Sequence, residues 1–311
     1  MQTKTNNIKA LFGAGLLLLA LFEFMQSAVA QTGSDLMVFY GPVVATSTSP
    51  KSHVVSYTTN HQIFTMSADG TGVRQLTTGT EDSKFPTWRP GKTHILFHRG
   101  SNLYVMDNDG GGSFAVAADR GVGADWSADG KMICYVGNAV SSPGPMGLWI
   151  VSVDPSGKAN RKVGTPVLVS QGDFYAPVWS RDGTRIAFSD QLEPGNGPHI
   201  RVLDLATGAK STFADMNGLL PSWGPNDEQI AYSGVLASGD WQLFIMNSNF
   251  SGNTQVTSLE KPVLWPAWSW DGTQVAFRLG SGQQWDASIY KLTLGNGELS
   301  LLHEKGDHPD W

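Results

Sequence analysis

Trp265-Pro266-Ala267-Trp268-Ser269-Trp270-Asp271-Gly272, running into the apolar Val275-Ala276-Phe277, is the stretch on which the fold turns. It reads as the end of one short strand, a tight turn and the start of a second strand. Asp and Gly supply the positive φ angles of the turn, and β-branched and aromatic residues suit a half-buried pleat. The same frame recurs around Trp88, Trp126, Trp179, Trp223, Trp268 and Trp311, at spacings of 38 to 53 residues. A third apolar run follows the second, as in Leu103-Tyr104-Val105-Met106 and Leu243-Phe244-Ile245-Met246, and then a weaker fourth, as in Thr254-Gln255-Val256-Thr257.

Four short strands per repeat are the mark of propeller blades, so the sequence predicts an all-β, six-bladed β-propeller. Each blade buries its faces only against its neighbours, and the ring must therefore close. The sixth repeat stops at Trp311, and Ser49-Pro50-Lys51-Ser52-His53-Val54-Val55-Ser56-Tyr57 fits the turn and second strand that should follow it. The C-terminal inner strand is thus expected to complete the N-terminal blade, beside three outer strands within residues 53–78.

On this reading residues 49–311 form the propeller, residues 31–48 a linker and residues 1–30 a signal peptide. Lys4 and Lys9 precede a short apolar run over residues 10–21, and Ala28-Val29-Ala30 supplies a small-x-small cleavage pattern. Cleavage before Gln31 would leave a periplasmic or secreted monomer without a membrane span. The lone Cys134 lies in an apolar run and reads as a small buried hydrophobe. Net charge is −6 and no Lys/Arg cluster occurs, which argues against nucleic acid as a partner.

Trp179-Ser180-Arg181-Asp182-Gly183 with Ile186-Ala187-Phe188, and Ile63-Phe64-Thr65-Met66 with Asp69-Gly70 and Gln75-Leu76-Thr77, resemble the TolB-like (WD-like) propeller repeat. The resemblance runs over residues 49–311. The α/β domain that precedes the propeller in the Tol-system protein has no counterpart in residues 31–48, and the mature chain has no Gly-x-Ser-x-Gly nucleophile elbow.

The resemblance implies that the inner strands line a central channel and that the connections into them rim one mouth. Those connections carry Asp82, Asp119, Asp173, Asp215, Glu260 and Asp307, with Lys84, Arg120 and Lys261 among them as neutralising charges. Asp82, Asp119, Asp173, Asp215 and Asp307 are the candidate ligands of a hard cation such as Ca2+, the ion the resemblance suggests. The same face carries Tyr175, Trp241, Trp265, Trp285 and His308, aromatic groups on loops that suit a binding surface. The six repeated tryptophans are read as packing between blades, since one ligand could not use all six. The expected function is a binding module for an envelope protein, peptide or glycan. The alternative is a lactonase-like hydrolase or polysaccharide lyase using the mouth carboxylates and His308, with or without a divalent metal.

Overall fold

A computed structural model describes residues 36–44, 57–118, 123–137, 146–155, 161–191, 197–213, 217–280 and 287–311. Every regular element among them is a β-strand, and the strands form six antiparallel sheets. Blade 1 comprises Ser83–Trp88, His94–Arg99, Asn102–Asp107 and Phe114–Ala118, each paired with the next. Blades 3, 4 and 5 repeat the arrangement from Phe174–Trp179, Gly218–Trp223 and Val263–Trp268. Blade 2 starts at the short Ala124–Trp126, and its third strand Gly147–Asp154 pairs outward with both Lys162–Val163 and Val167–Gln171.

Six hydrophobic clusters, one at each junction between neighbouring blades, make up the core. Each repeated tryptophan sits in one of them, no more than 7% exposed. Cys134 is fully buried at the junction of blades 2 and 3. Six junctions for six blades require a closed ring.

Blade 6 closes that ring from both ends of the chain, in a register that corrects the sequence reading. Its inner strand is Asp307–Asp310, and its second strand is Leu36–Val44, inside the stretch assigned as a linker. Val38 pairs with Asp310, and Tyr40 with Asp307. The third strand, Tyr57–Ser67, pairs Leu36 with Ser67 and Val44 with Tyr57, and Arg74–Gln75 is the fourth. The propeller therefore begins by Leu36 rather than at Ser49, and Tyr57 belongs to the third strand. Packing explains the choice: Met37, Val38 and Phe39 are at most 1% exposed and present the core face that Ile-Ala-Phe presents elsewhere. The rest of the expected strand, residues 49–56, lies outside the described residues.

Side chains latch blade 6 to blade 1. The Asp310 carboxylate accepts the Trp88 N–H at 2.7 Å and the Thr87 hydroxyl at 3.1 Å, and Lys92 Nζ donates to the Leu36 carbonyl at 2.9 Å. Asp125 holds the corresponding place in blade 2. It accepts the Trp179 N–H of blade 3 at 2.9 Å and the Thr87 hydroxyl at 3.3 Å.

Candidate functional site

The inner strands share one irregularity, and it shapes the channel. In blades 1, 3, 4 and 5 the pairing with the second strand slips between the fourth and first residues before the tryptophan. The residue three before the tryptophan has positive φ in every blade: Phe85, Gly123, Ala176, Leu220, Trp265 and His308. Except in blade 2 the next residue is proline, which has no N–H to give the ladder, so the strand bulges there. The bulge re-aims the side chain, and the positive φ costs on the order of 1–2 kcal/mol at each non-glycine position.

Three of the re-aimed side chains meet across blades. Trp265 of blade 5 lies over His308 of blade 6, with ring centroids 4.1 Å apart and planes at 35°. Phe85 of blade 1 meets Trp265 at 5.5 Å and His308 edge-on at 5.3 Å. All three are half-buried. On the other side of the ring, a Cβ added to Gly123 would come within 2.9 Å of the Ala176 Cα. The bulge layer is thus a constriction, floored by an aromatic trio. Tyr40 backs it, 5.4 Å from Phe85, as does His98, 5.6 Å from the same ring.

Burial governs protonation in this layer. It pushes the His308 imidazole down to about 3, with nearby His98 adding to the effect, and the His98 imidazole down to about 4. Both rings are neutral at ordinary pH. Burial raises the Asp307 carboxyl, although the Arg278 guanidinium 3.0 Å away, the His308 N–H at 2.8 Å and the Tyr40 hydroxyl favour its charge. His308 acquires no carboxylate partner for its ring from its chain neighbours. Asp307 faces Arg278 and Tyr40, and Asp310 turns to Trp88 and Thr87.

The sequence-derived candidates divide accordingly. Trp265 and His308 are in contact. Tyr175 lies one residue before the bulge of blade 3, half-buried, its hydroxyl pKa raised by burial and by the exposed Asp173. Trp241 opens the third strand of blade 4, half-buried and paired with Val235. Trp285, Asp119 and Asp215 lie outside the described residues. Asp82 accepts the His61 N–H at 2.7 Å and meets Lys84 Nζ at 2.6 Å; burial would raise its pKa, but these partners hold it below the usual range. Asp82 and Asp307 thus each carry a cation of this chain, and among the described residues no three His, Cys, Asp or Glu side chains converge as a metal-binding group. Phe85 was missed by sequence reasoning. Its signal was available: it precedes the repeat proline, as Trp265 and His308 do.

A half-buried aromatic floor shared by the inner strands of three blades can accept a flat apolar face, whether prolyl, aromatic or the C–H face of a sugar. Tyr175 and Lys84 stand one residue before the bulge positions of blades 3 and 1 and offer polar groups. Among the described residues, no helix is long and apolar enough to cross a membrane.

Known proteins share this architecture. A TolB homologue from Chlorobium luteolum (strain DSM 273 / BCRC 81028 / 2530) is 29% identical over 133 residues, 42% of this chain and 28% of that protein. The match thus spans little more than a quarter of that relative's length. Among solved structures, a putative TolB from Agrobacterium tumefaciens is similar with a TM-score of 0.66 at 15% identity, covering 89% of this chain and 92% of that one. An oligogalacturonate lyase from Vibrio parahaemolyticus has a TM-score of 0.54 at 11% identity, covering 88% and 80%. Likeness at these identities concerns the fold alone. The family model described as the TolB beta propeller domain matches residues 150–309, more than half of the chain, and the chain belongs to that family.

Proposed function

We propose that this protein is an exported binding module that takes a protein or peptide segment at the aromatic-floored mouth of its propeller. The observation that carries the reading is the convergence of Phe85, Trp265 and His308 from three blades into one half-buried cluster. Five backbone positions held at positive φ by non-glycine residues build that layer, a strained arrangement of the kind that collects at functional sites. Export is supported by the charged, apolar and small-residue sequence of residues 1–30, and the periplasm is the compartment it suits. A glycan presenting a C–H face is the second ligand class the floor would accept. The geometry works against the hydrolase or lyase alternative, because the carboxylates flanking His308 are engaged by Arg278, Tyr40, Trp88 and Thr87.

The test is capture from envelope extract by the immobilised mature chain. Phe85→Ala with Trp265→Ala should reduce the captured species at least tenfold, about 1.4 kcal/mol in binding. Because that pair also alters packing, Tyr175→Ser serves at the rim, where melting should stay within a few degrees while capture weakens. Capture undiminished in both variants would place the binding surface elsewhere.

A further inference from the structure

A cavity of about 130 Å3 is bounded at one end by the bulge layer, through Gly123, Ala176, Leu220, Trp265 and His308, and runs toward the hairpin turns that follow the inner strands. It holds several water molecules or one small polar group. Most of its lining is Ala, Pro, Val and Trp, and the charged groups in it are Arg181, Asp125 and Asp310.

Arg181 is fixed in position from both sides. Its backbone N–H and that of Asp182 donate to the two carboxylate oxygens of Asp227 in the next blade, each at 2.7 Å. Its guanidinium stacks on Trp270 of blade 5, with Cζ 3.9 Å from the ring centroid. Stacking uses the face of the guanidinium and leaves its in-plane N–H donors free. No described carboxylate comes within ion-pair distance: Asp125, Asp310 and Asp227 act on it only through longer-range charge. Asp125 and Asp310 are directed at backbone N–H groups and Thr87 instead. Elsewhere in the chain, Arg278 and Arg201 each have a carboxylate oxygen at 3.0 Å.

We propose that this cavity is a second binding site, which takes a carboxylate group in a two-pronged contact with Arg181. A guanidinium edge matches a carboxylate edge, and a confined pair of this kind is stronger than one in open water. The small volume and the two neighbouring acidic groups favour a monoanion over a phosphate dianion. Arg181 lies at the turn end of the cavity, whereas Trp265 and His308 of the aromatic floor line its other end.

The experiment follows the Arg181 Nε–Hε resonance of the mature protein, assigned by its loss in Arg181→Gln, during titration with propionate and, separately, propionamide. Saturation by propionate below about 100 mM, with propionamide at least tenfold weaker, is the expected result. Equal response to acid and amide, or no saturation in that range, overturns the proposal. In Arg181→Gln, propionate-induced shifts of cavity-lining backbone amides should require at least tenfold more ligand, and unchanged affinity there also overturns it. N-acetyl-Gly-Gly-Ala with a free carboxylate, compared with its amide, identifies the source. Tighter binding than propionate assigns the site to a chain end, and weaker binding assigns it to a free small acid. Envelope capture through the aromatic floor should be unaffected by Arg181→Gln, so failure at one mouth is read separately from failure at the other.

Discussion

Asp125 shows how one residue can serve the ring and strain it together. Burial pushes its carboxyl up to about 7 with the Asp310 charge adding to the shift, while the N–H groups of Trp179 and Trp126 and the Arg181 charge oppose it. A carboxyl whose folded pKa lies above its unfolded value binds more protons when folded. Its contribution to stability is therefore full below about pH 4 and is lost as pH rises toward 7. Asp125→Asn sets an amide N–H2 among incoming N–H donors and should destabilise by about 1–3 kcal/mol at pH 5. Because the amide does not titrate, that deficit should shrink between pH 5 and pH 8. Melting curves at the two pH values check it, and a deficit that grows with pH contradicts the assignment. Neither the role of Asp125 nor the chemistry of Arg181 was legible in the sequence. The residue before the tryptophan varies, as Thr87, Asp125, Val178, Ser222, Ala267 and Asp310. Which of these reaches a neighbouring blade depends on packing.

Among elements, the second strand of blade 6 is the one that sequence placed wrongly. Leu36–Val44 has no Ser-x-Asp-Gly turn before it, because its inner partner comes from the other end of the chain. Ser49-Pro50-Lys51 resembles that turn and competes for its place in the repeat. Burial of Met37-Val38-Phe39 was the better guide. Phe39 is 1% exposed, and Phe39→Ala should cost about 3–5 kcal/mol, measured by denaturant unfolding. A loss under about 1 kcal/mol would remove this strand from the core. The bulged inner strands mark a second limit. Alternation assigns residues to faces by counting in twos, and an inserted residue shifts that count by one. The sequence puts Trp265 on the loop-bearing face and His308 at the channel through their place in the connections between blades, whereas the slipped register and positive φ bring the two rings together.

For the molecule as a whole, the ring was legible because six copies of one frame leave few alternatives, and the closed chain of six junctions agrees with it. Removing residues 307–311 should take away the Trp311 packing, the Asp310 latch to Trp88 and the Asp307–Arg278 pair in one step. The expected product melts far lower, with a broadened transition, and associates on size exclusion through the uncovered edge of Leu36–Val44. A truncated chain that remains monomeric and melts as the intact one does would show that the ring closes without that strand.

The latch between Asp310 and Trp88 joins residues 222 positions apart, and it sets a timetable for synthesis. Leu36–Val44 emerges from the ribosome before any other described strand of the propeller, yet one of its edges has no partner until Asp307–Asp310 has been made. Throughout elongation that edge is open to pairing with another strand. Any factor that shields it need act only until Asp307–Asp310 arrives, after which the two strands become neighbours.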